Sequence, residues 1–321
     1  MTPRSTLMLG MAVVAGCGNY DAAPPSFSEA SQPEVLFLVR TEVMSIRLDG
    51  TVRRSLGNVG DDRHRTGFPR FLPDGRVAVL ADDTGGIFPF VGSPLGGDFK
   101  RLPNMNVTLN DALCGVTVGG QSRLVFTTSP FTPFWPMATR LYRMDVDNPQ
   151  LEAVGFQSSG PNDQAGAITE PAPYDDGRVV AVRTLRPDGL TPGVSSVELL
   201  RVDRAFDHDQ AQTSEKLATL ADGLLAHAPA RLPDGRVVFI RVNPDGVSDT
   251  DVGEMLVIGL DNQVSSTGLV GVLALEVVGD QIVYETGGAD GVSDLVMSDL
   301  THAPVNITNT PFVSEHIGWS D

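Results

Sequence analysis

From Glu34 onward the hydrophobic positions fall in short β-branched runs, each opened by a tight turn. Leu72-Pro-Asp-Gly-Arg-Val-Ala-Val-Leu80 and Leu232-Pro-Asp-Gly-Arg-Val-Val-Phe-Ile240 are nearly the same sentence. Tyr174-Asp-Asp-Gly-Arg-Val-Val-Ala-Val182, Val118-Gly-Gly-Gln-Ser-Arg-Leu-Val-Phe126 and Val278-Gly-Asp-Gln-Ile-Val-Tyr284 are degenerate copies of it. Asp-Gly between two strand-like runs is a hairpin signal, because both turn positions tolerate positive φ. The pattern therefore predicts an internal repeat of antiparallel hairpins.

Each copy leads through a variable connection to another apolar run: Leu141-Tyr-Arg-Met-Asp-Val146, Val197-Glu-Leu-Leu-Arg-Val202, Met255-Leu-Val-Ile-Gly-Leu260 and Leu295-Val-Met-Ser-Asp-Leu300. A last short strand, such as Phe99-Lys-Arg-Leu102 or Val305-Asn-Ile-Thr308, completes a unit of four. Four-stranded units recurring every few tens of residues are the blades of a β-propeller. Residues 34–321 number 288, which is 48 for each of six blades. The first unit, Val35 to Leu56, has three runs and no inner strand, whereas Thr310-Pro-Phe-Val-Ser-Glu-His-Ile-Gly-Trp-Ser-Asp321 is an inner strand with nothing after it. Pairing the C-terminal strand with the first blade would close the ring and remove its exposed edges. The expected fold is all-β, a six-bladed propeller of four-stranded antiparallel blades; a two-sheet sandwich would have no reason to repeat one turn or to split a unit across the termini.

Asn306-Ile-Thr-Asn-Thr-Pro311 and Ile317-Gly-Trp-Ser-Asp321, together with the Pro-Asp-Gly-Arg copies, resemble the TolB-type, WD40-like propeller family over about 290 residues. That resemblance implies the fold and an envelope location. It implies nothing about the Tol–Pal role, because that family carries an α/β domain before its propeller and here only a tether stands in its place.

The N-terminus adds a location. Arg4 is followed by Leu7-Met-Leu-Gly-Met-Ala-Val-Val-Ala15, then Gly16 and Cys17. This reads as a signal peptide whose apolar run is too short to span a bilayer. Val14-Ala15-Gly16-Cys17 resembles the lipobox of bacterial lipoproteins, which implies diacylglycerol on the Cys17 sulfur and firm anchorage by several acyl chains. The expected organisation is 1–16 lipoprotein signal peptide, 17–33 lipidated Cys and flexible Pro/Ser/Ala-rich tether, and 34–321 propeller. Gly18 is not the Asp that retains enteric lipoproteins at the inner membrane, so the expected location is the cell envelope, on the outer membrane facing the periplasm or cell surface.

Charge and cysteine content narrow the chemistry. The formal net charge is −17 and Lys occurs only at 100 and 216, so no basic stripe is present to track phosphates, and nucleic acid is not an expected partner. With Cys17 lipidated, Cys114 has no partner for a disulfide, and its Ala-Leu-Cys-Gly-Val setting is that of an inert buried thiol.

Candidate binding residues lie after the second strands, where connections are long and individual. Pro130-Phe-Thr-Pro-Phe-Trp-Pro136 and Ile87-Phe-Pro-Phe90 supply Phe88, Phe90, Phe131, Phe134 and Trp135 as a candidate patch, since rigid aromatics anchor partners at low entropy cost. Asp245, Asp249, Asp251 and Glu254 offer hard oxygen ligands for calcium, but without the EF-hand spacing, and no other cofactor is expected. No Gly-x-Ser-x-Gly elbow, phosphate-binding Gly-Lys-Ser/Thr or His-Glu-x-x-His is present, and no catalytic residue is assigned. The expectation is a monomeric, non-catalytic scaffold that binds an envelope protein or a small ligand. The alternative is a propeller-hosted, metal-assisted lyase or hydrolase, which would require His227 and other polar groups to converge near the axis.

Overall fold

The computed structural model describes residues 33–59, 66–83, 86–102, 110–128, 140–153, 167–185, 194–202, 214–221, 223–243, 253–287, 292–308 and 314–317. Among them every regular element is a strand. The β-branched runs form antiparallel ladders because alternate side chains bury on the two faces of each sheet while the Asp-Gly turns reverse the chain. The first sheet has three strands, β1 (Glu34–Val39), β2 (Glu42–Arg47) and β3 (Arg54–Asn58). The second has four, β4 (Thr66–Phe71), β5 (Val77–Asp83), β6 (Gly86–Gly92) and β7 (Lys100–Arg101). The third consists of β8 (Asn110–Val118), β9 (Gln121–Thr128), β10 (Arg140–Asp145) and β11 (Glu152–Ala153), and the fourth of β12 (Ala167–Asp175), β13 (Arg178–Leu185), β14 (Val194–Arg201) and β15 (Ser214–Thr219).

The last sheet is continuous over seven strands, where the sequence pattern predicts separate units. It runs β16 (Leu225–Arg231), β17 (Val237–Val242), β18 (Gly253–Ile258), β19 (Val264–Val278), β20 (Gln281–Gly287), β21 (Ser293–Ser298) and β22 (Val305–Asn306). The 15-residue β19 is the cause: its first half pairs with β18 and its second half with β20. Gly268 and Gly271, at φ +77° and +84°, let it bend between the two partners without a separate turn.

The core lies between sheets. One buried cluster joins β1 and β3 to β5 through Leu36, Leu38, Leu56 and Val79, the next joins the second sheet to the third, and others follow from third to fourth and from fourth to β16–β18. Another lies between β16–β18 and the β19–β21 strands. The sixth returns to the beginning: Val35, Phe37 and Met44 pack with Val283, Leu295 and Ile317. Ile317 belongs to a segment, 314–317, that meets β1, where His316 and Leu38 exchange backbone hydrogen bonds of 2.8 and 3.0 Å.

The turns are built by their own side chains. In Leu72-Pro-Asp-Gly-Arg76 the Asp74 carboxylate accepts from the Arg76 backbone N–H at 3.0 Å and from its guanidinium at 3.0 and 2.6 Å. Asp234 and Arg236 repeat the arrangement. Arg76 also reaches Asp147 at 2.7 Å, which links the second sheet to the third.

Candidate functional site

Three first strands carry the same irregularity. In β4 the register against β5 jumps between Gly67 and Arg70, so Phe68 and Pro69 together oppose Val79. Glu170 and Pro171 of β12 oppose Ala181 in the same way, and Ala228 and Pro229 of β16 oppose Phe239. Each is a β-bulge, and its first residue has positive φ: 52° at Phe68, 52° at Glu170 and 44° at Ala228. An L-residue there is strained, and such strain persists where the surrounding structure enforces it, often beside functional sites. The sequence signal is a proline three residues before the Leu or Tyr that opens the turn sentence, at 69, 171 and 229. The turn itself is conspicuous in the sequence; this proline is not.

The bulges border a cavity of about 110 Å³ where β4, β8, β12, β16 and the second half of β19 converge. Its walls are mostly apolar, with Phe68, Leu113, Leu275 and Val277 among them, and the charged residues Arg70, Glu170, Arg231 and Glu276 also line it. Glu170 is held from β16: the His227 ring donates through Nδ1 to Oε1 at 2.8 Å, and the Ala228 N–H donates to Oε2. Burial opposes the charge of Glu170, but His227, the Ala228 N–H and Arg70 outweigh it and hold the carboxyl below the usual range. Glu276 differs. Burial pushes its carboxyl up, and Arg70, at 3.4 Å, offsets this only in part. Arg70 also donates to the carbonyls of Pro69 at 2.9 Å and Ile317 at 3.2 Å, which ties β4 to the 314–317 segment. Cys114 lines the same cavity, 1% exposed; burial drives its thiol up to about 12, so it is an inert thiol as its sequence context implies.

The residues singled out from the sequence fare differently. Phe88 and Phe90 lie on β6 rather than on a connection. Phe88 is 3% exposed beneath the Arg101 guanidinium, 3.6 Å from the ring centroid, and Phe90 packs half-buried against the core between the first two sheets. Phe88 is thus covered and cannot anchor a partner as it stands, while Phe90 keeps part of its ring exposed. Phe131, Phe134 and Trp135 lie outside the described residues, as do Cys17, Asp245, Asp249 and Asp251. Glu254 is on β18, paired with Arg241 and accepting a hydrogen bond from Ser266. Among the described residues no three His, Cys, Asp or Glu side chains form a group that could hold a metal ion. His227 meets one cavity-lining carboxylate, that of Glu170. Arg70, Glu170 and Glu276 were not visible as a group in the sequence, because they come from β4, β12 and β19.

No protein-family model matches the sequence. No curated protein matches it either. Solved structures do resemble the fold. A hydrazine synthase from Kuenenia stuttgartiensis aligns with a TM-score of 0.65 at 11% identity, over 89% of this chain and 46% of that one. A nidogen/laminin complex aligns at 0.59 and 11% identity, over 89% and 97% of the respective chains. A putative TolB from Agrobacterium tumefaciens aligns at 0.56 and 11% identity, over 86% and 88%. Identities this low carry fold and nothing finer: the chain has a β-propeller fold.

Proposed function

We propose that this chain is a lipoprotein of the cell envelope, exported by residues 1–16, anchored through Cys17 on the outer membrane, and carrying a propeller that binds a partner protein or ligand without turning it over. The propeller is read as six blades in a closed ring. That reading is supported by six buried clusters between successive sheets, the last returning to the first, and by the Leu38–His316 backbone pair. The second blade then begins at β4 and the sixth at the second half of β19.

The observation that carries the binding reading is the asymmetry of the connections. Three first-to-second-strand turns are closed by their own Asp–Arg pair, Asp74–Arg76 and Asp234–Arg236 two residues apart and Asp175–Arg178 three apart. Second-to-third-strand connections share neither length nor sequence, from 84–85 to 129–139. Uniform turns serve the scaffold, and individual connections are where recognition sits. The test places a photocrosslinking amino acid at Phe131 and at Trp135 in cells, in the natural chain and in Cys17→Ser. One discrete envelope partner captured from the natural chain, with lipid labelling lost in Cys17→Ser, is the expected result. Capture of nothing, together with an unaltered phenotype on replacing the 131–135 aromatics, sinks the binding face. Unchanged membrane retention of Cys17→Ser sinks the anchor.

A second reading, a propeller-hosted lyase or hydrolase, is favoured by one observation: the Glu170–His227 pair stands beside the cavity, where a carboxylate-oriented imidazole suits general acid–base work. Saccharide and peptide substrate screens with metal analysis test it. Turnover lost in His227→Ala but not in a distant variant supports it, and the absence of turnover with and without added metal ends it.

A further inference from the structure

Arg70 and Arg231 are the two guanidinium groups that line the cavity, and Arg70 is the one that faces a carboxyl across it. It has five N–H donors, yet its contacts with Pro69, Ile317 and Glu276 all run through Nη1. Its meeting with Glu276 is a single contact at 3.4 Å, unlike the two-point guanidinium–carboxylate fork that Arg76 makes with Asp147. Glu170 feels the Arg70 charge but accepts its hydrogen bonds from His227 and the Ala228 N–H. Arg231 lies against the Tyr174 ring, 4.9 Å from its centroid.

We propose that this cavity binds a small monocarboxylate, with the Arg70 guanidinium as its anchor and the Glu276 carboxyl as a second hydrogen-bonding group. Three features fit that ligand. Burial works against the charge of Glu276, so it neutralises the Arg70 cation less fully than an exposed carboxylate would, which leaves room for a monoanion. The volume, about 110 Å³, is below the roughly 150 Å³ that accommodates benzene, and its walls of Phe68, Leu113, Leu275 and Val277 suit a short alkyl chain. The side chains of Arg70 and Glu276 retain 16% and 20% exposure, so a solute can reach them. The strained bulges at Phe68, Glu170 and Ala228 all border this same space. The site goes beyond the partner-binding reading, and its test needs neither the lipid anchor nor the 131–135 aromatics.

The experiment is calorimetric titration of the full-length protein in detergent with sodium propionate and butyrate, with sodium chloride and inorganic phosphate as controls at matched ionic strength. The expected result is saturable one-to-one binding of propionate or butyrate with a dissociation constant near 1 mM, and no saturable heat from chloride. Arg70→Gln should weaken it tenfold or more. Because Arg70 also holds the Ile317 carbonyl, Ala172→Leu, which fills the cavity from β12, is the second variant and should abolish binding in a folded protein. Glu276→Gln, which offers a donor, should stay within about threefold of the natural chain. Absence of saturable carboxylate binding, equal binding of phosphate, or undiminished binding in Ala172→Leu would each overturn the proposal.

Discussion

Glu170 on β12 and Glu276 on β19 show how much two half-buried carboxylates differ. Glu170 is held ionised by its partners, so it stabilises the fold above its ordinary titration range and that stability is lost as pH falls through its lowered value. Glu276 has the opposite sign: its raised value means that ionising it in the fold costs stability as pH rises. Glu276→Gln is therefore expected to melt higher than the natural chain at pH 8, with the gain shrinking as pH falls toward the ordinary Glu value of about 4.3. Thermal unfolding at several pH values measures this; a Glu276→Gln protein that melts lower at pH 8 would show that the Arg70 contact outweighs desolvation. Neither role was legible in the sequence. Thr169-Glu-Pro171 and Leu275-Glu-Val277 are unremarkable strand segments, and the partners of Glu170 lie 57 and 58 residues away.

At the scale of the element, the Asp-Gly-Arg turns follow directly from local chemistry. Gly75 sits at φ +85° and a Cβ there would meet nothing within 4 Å, so Gly75→Ala isolates backbone strain. The expected cost is about 1–2 kcal/mol in denaturant unfolding. Gly235→Ala, at φ +93° with Leu260 3.2 Å from the added carbon, should cost as much or slightly more. An unchanged midpoint for Gly75→Ala would mean that the turn relaxes to another type. Phe88 and Phe90, expected near the connection after a second strand, stand in β6, with Pro89 opposite Leu80. The seven-stranded continuity through β19 passes Gly268 and Gly271, whose positive φ lets them act as bends within a strand.

For the whole molecule the decisive contacts join distant parts of the chain. The 314–317 segment is fastened by more than its backbone pairing with Leu38. The His316 ring meets Glu285 at 2.9 Å, the Ile317 N–H donates to the same carboxylate at 3.1 Å, and Arg53 pairs with the fully buried Glu315 at 2.6 Å. Glu285 and His316 are 4% and 5% exposed, and removing one member of such a pair strands the other in low dielectric. Glu285→Ala is expected to cost about 3–5 kcal/mol. In the proposed ring it should also speed hydrogen exchange at the Leu38 amide more than at the β13–β14 ladder. Uniform acceleration of both would mean that the segment is not a separate clasp.

The sequence by itself determined what depends on neighbours along the chain: strands from β-branched runs, tight turns from Asp-Gly-Arg, the repeat of the two, and the expectation of export and lipidation at Cys17. These rest on dihedral preference and on periodicity, which act over a few residues. Only the tertiary structure decided that three Xaa-Pro bulges border one cavity, that Arg70 faces Glu276 while His227 holds Glu170, and that Phe88 lies under Arg101. Such meetings depend on how successive sheets pack. Packing brings side chains dozens to hundreds of residues apart within hydrogen-bonding distance, and no spacing in the sequence records it.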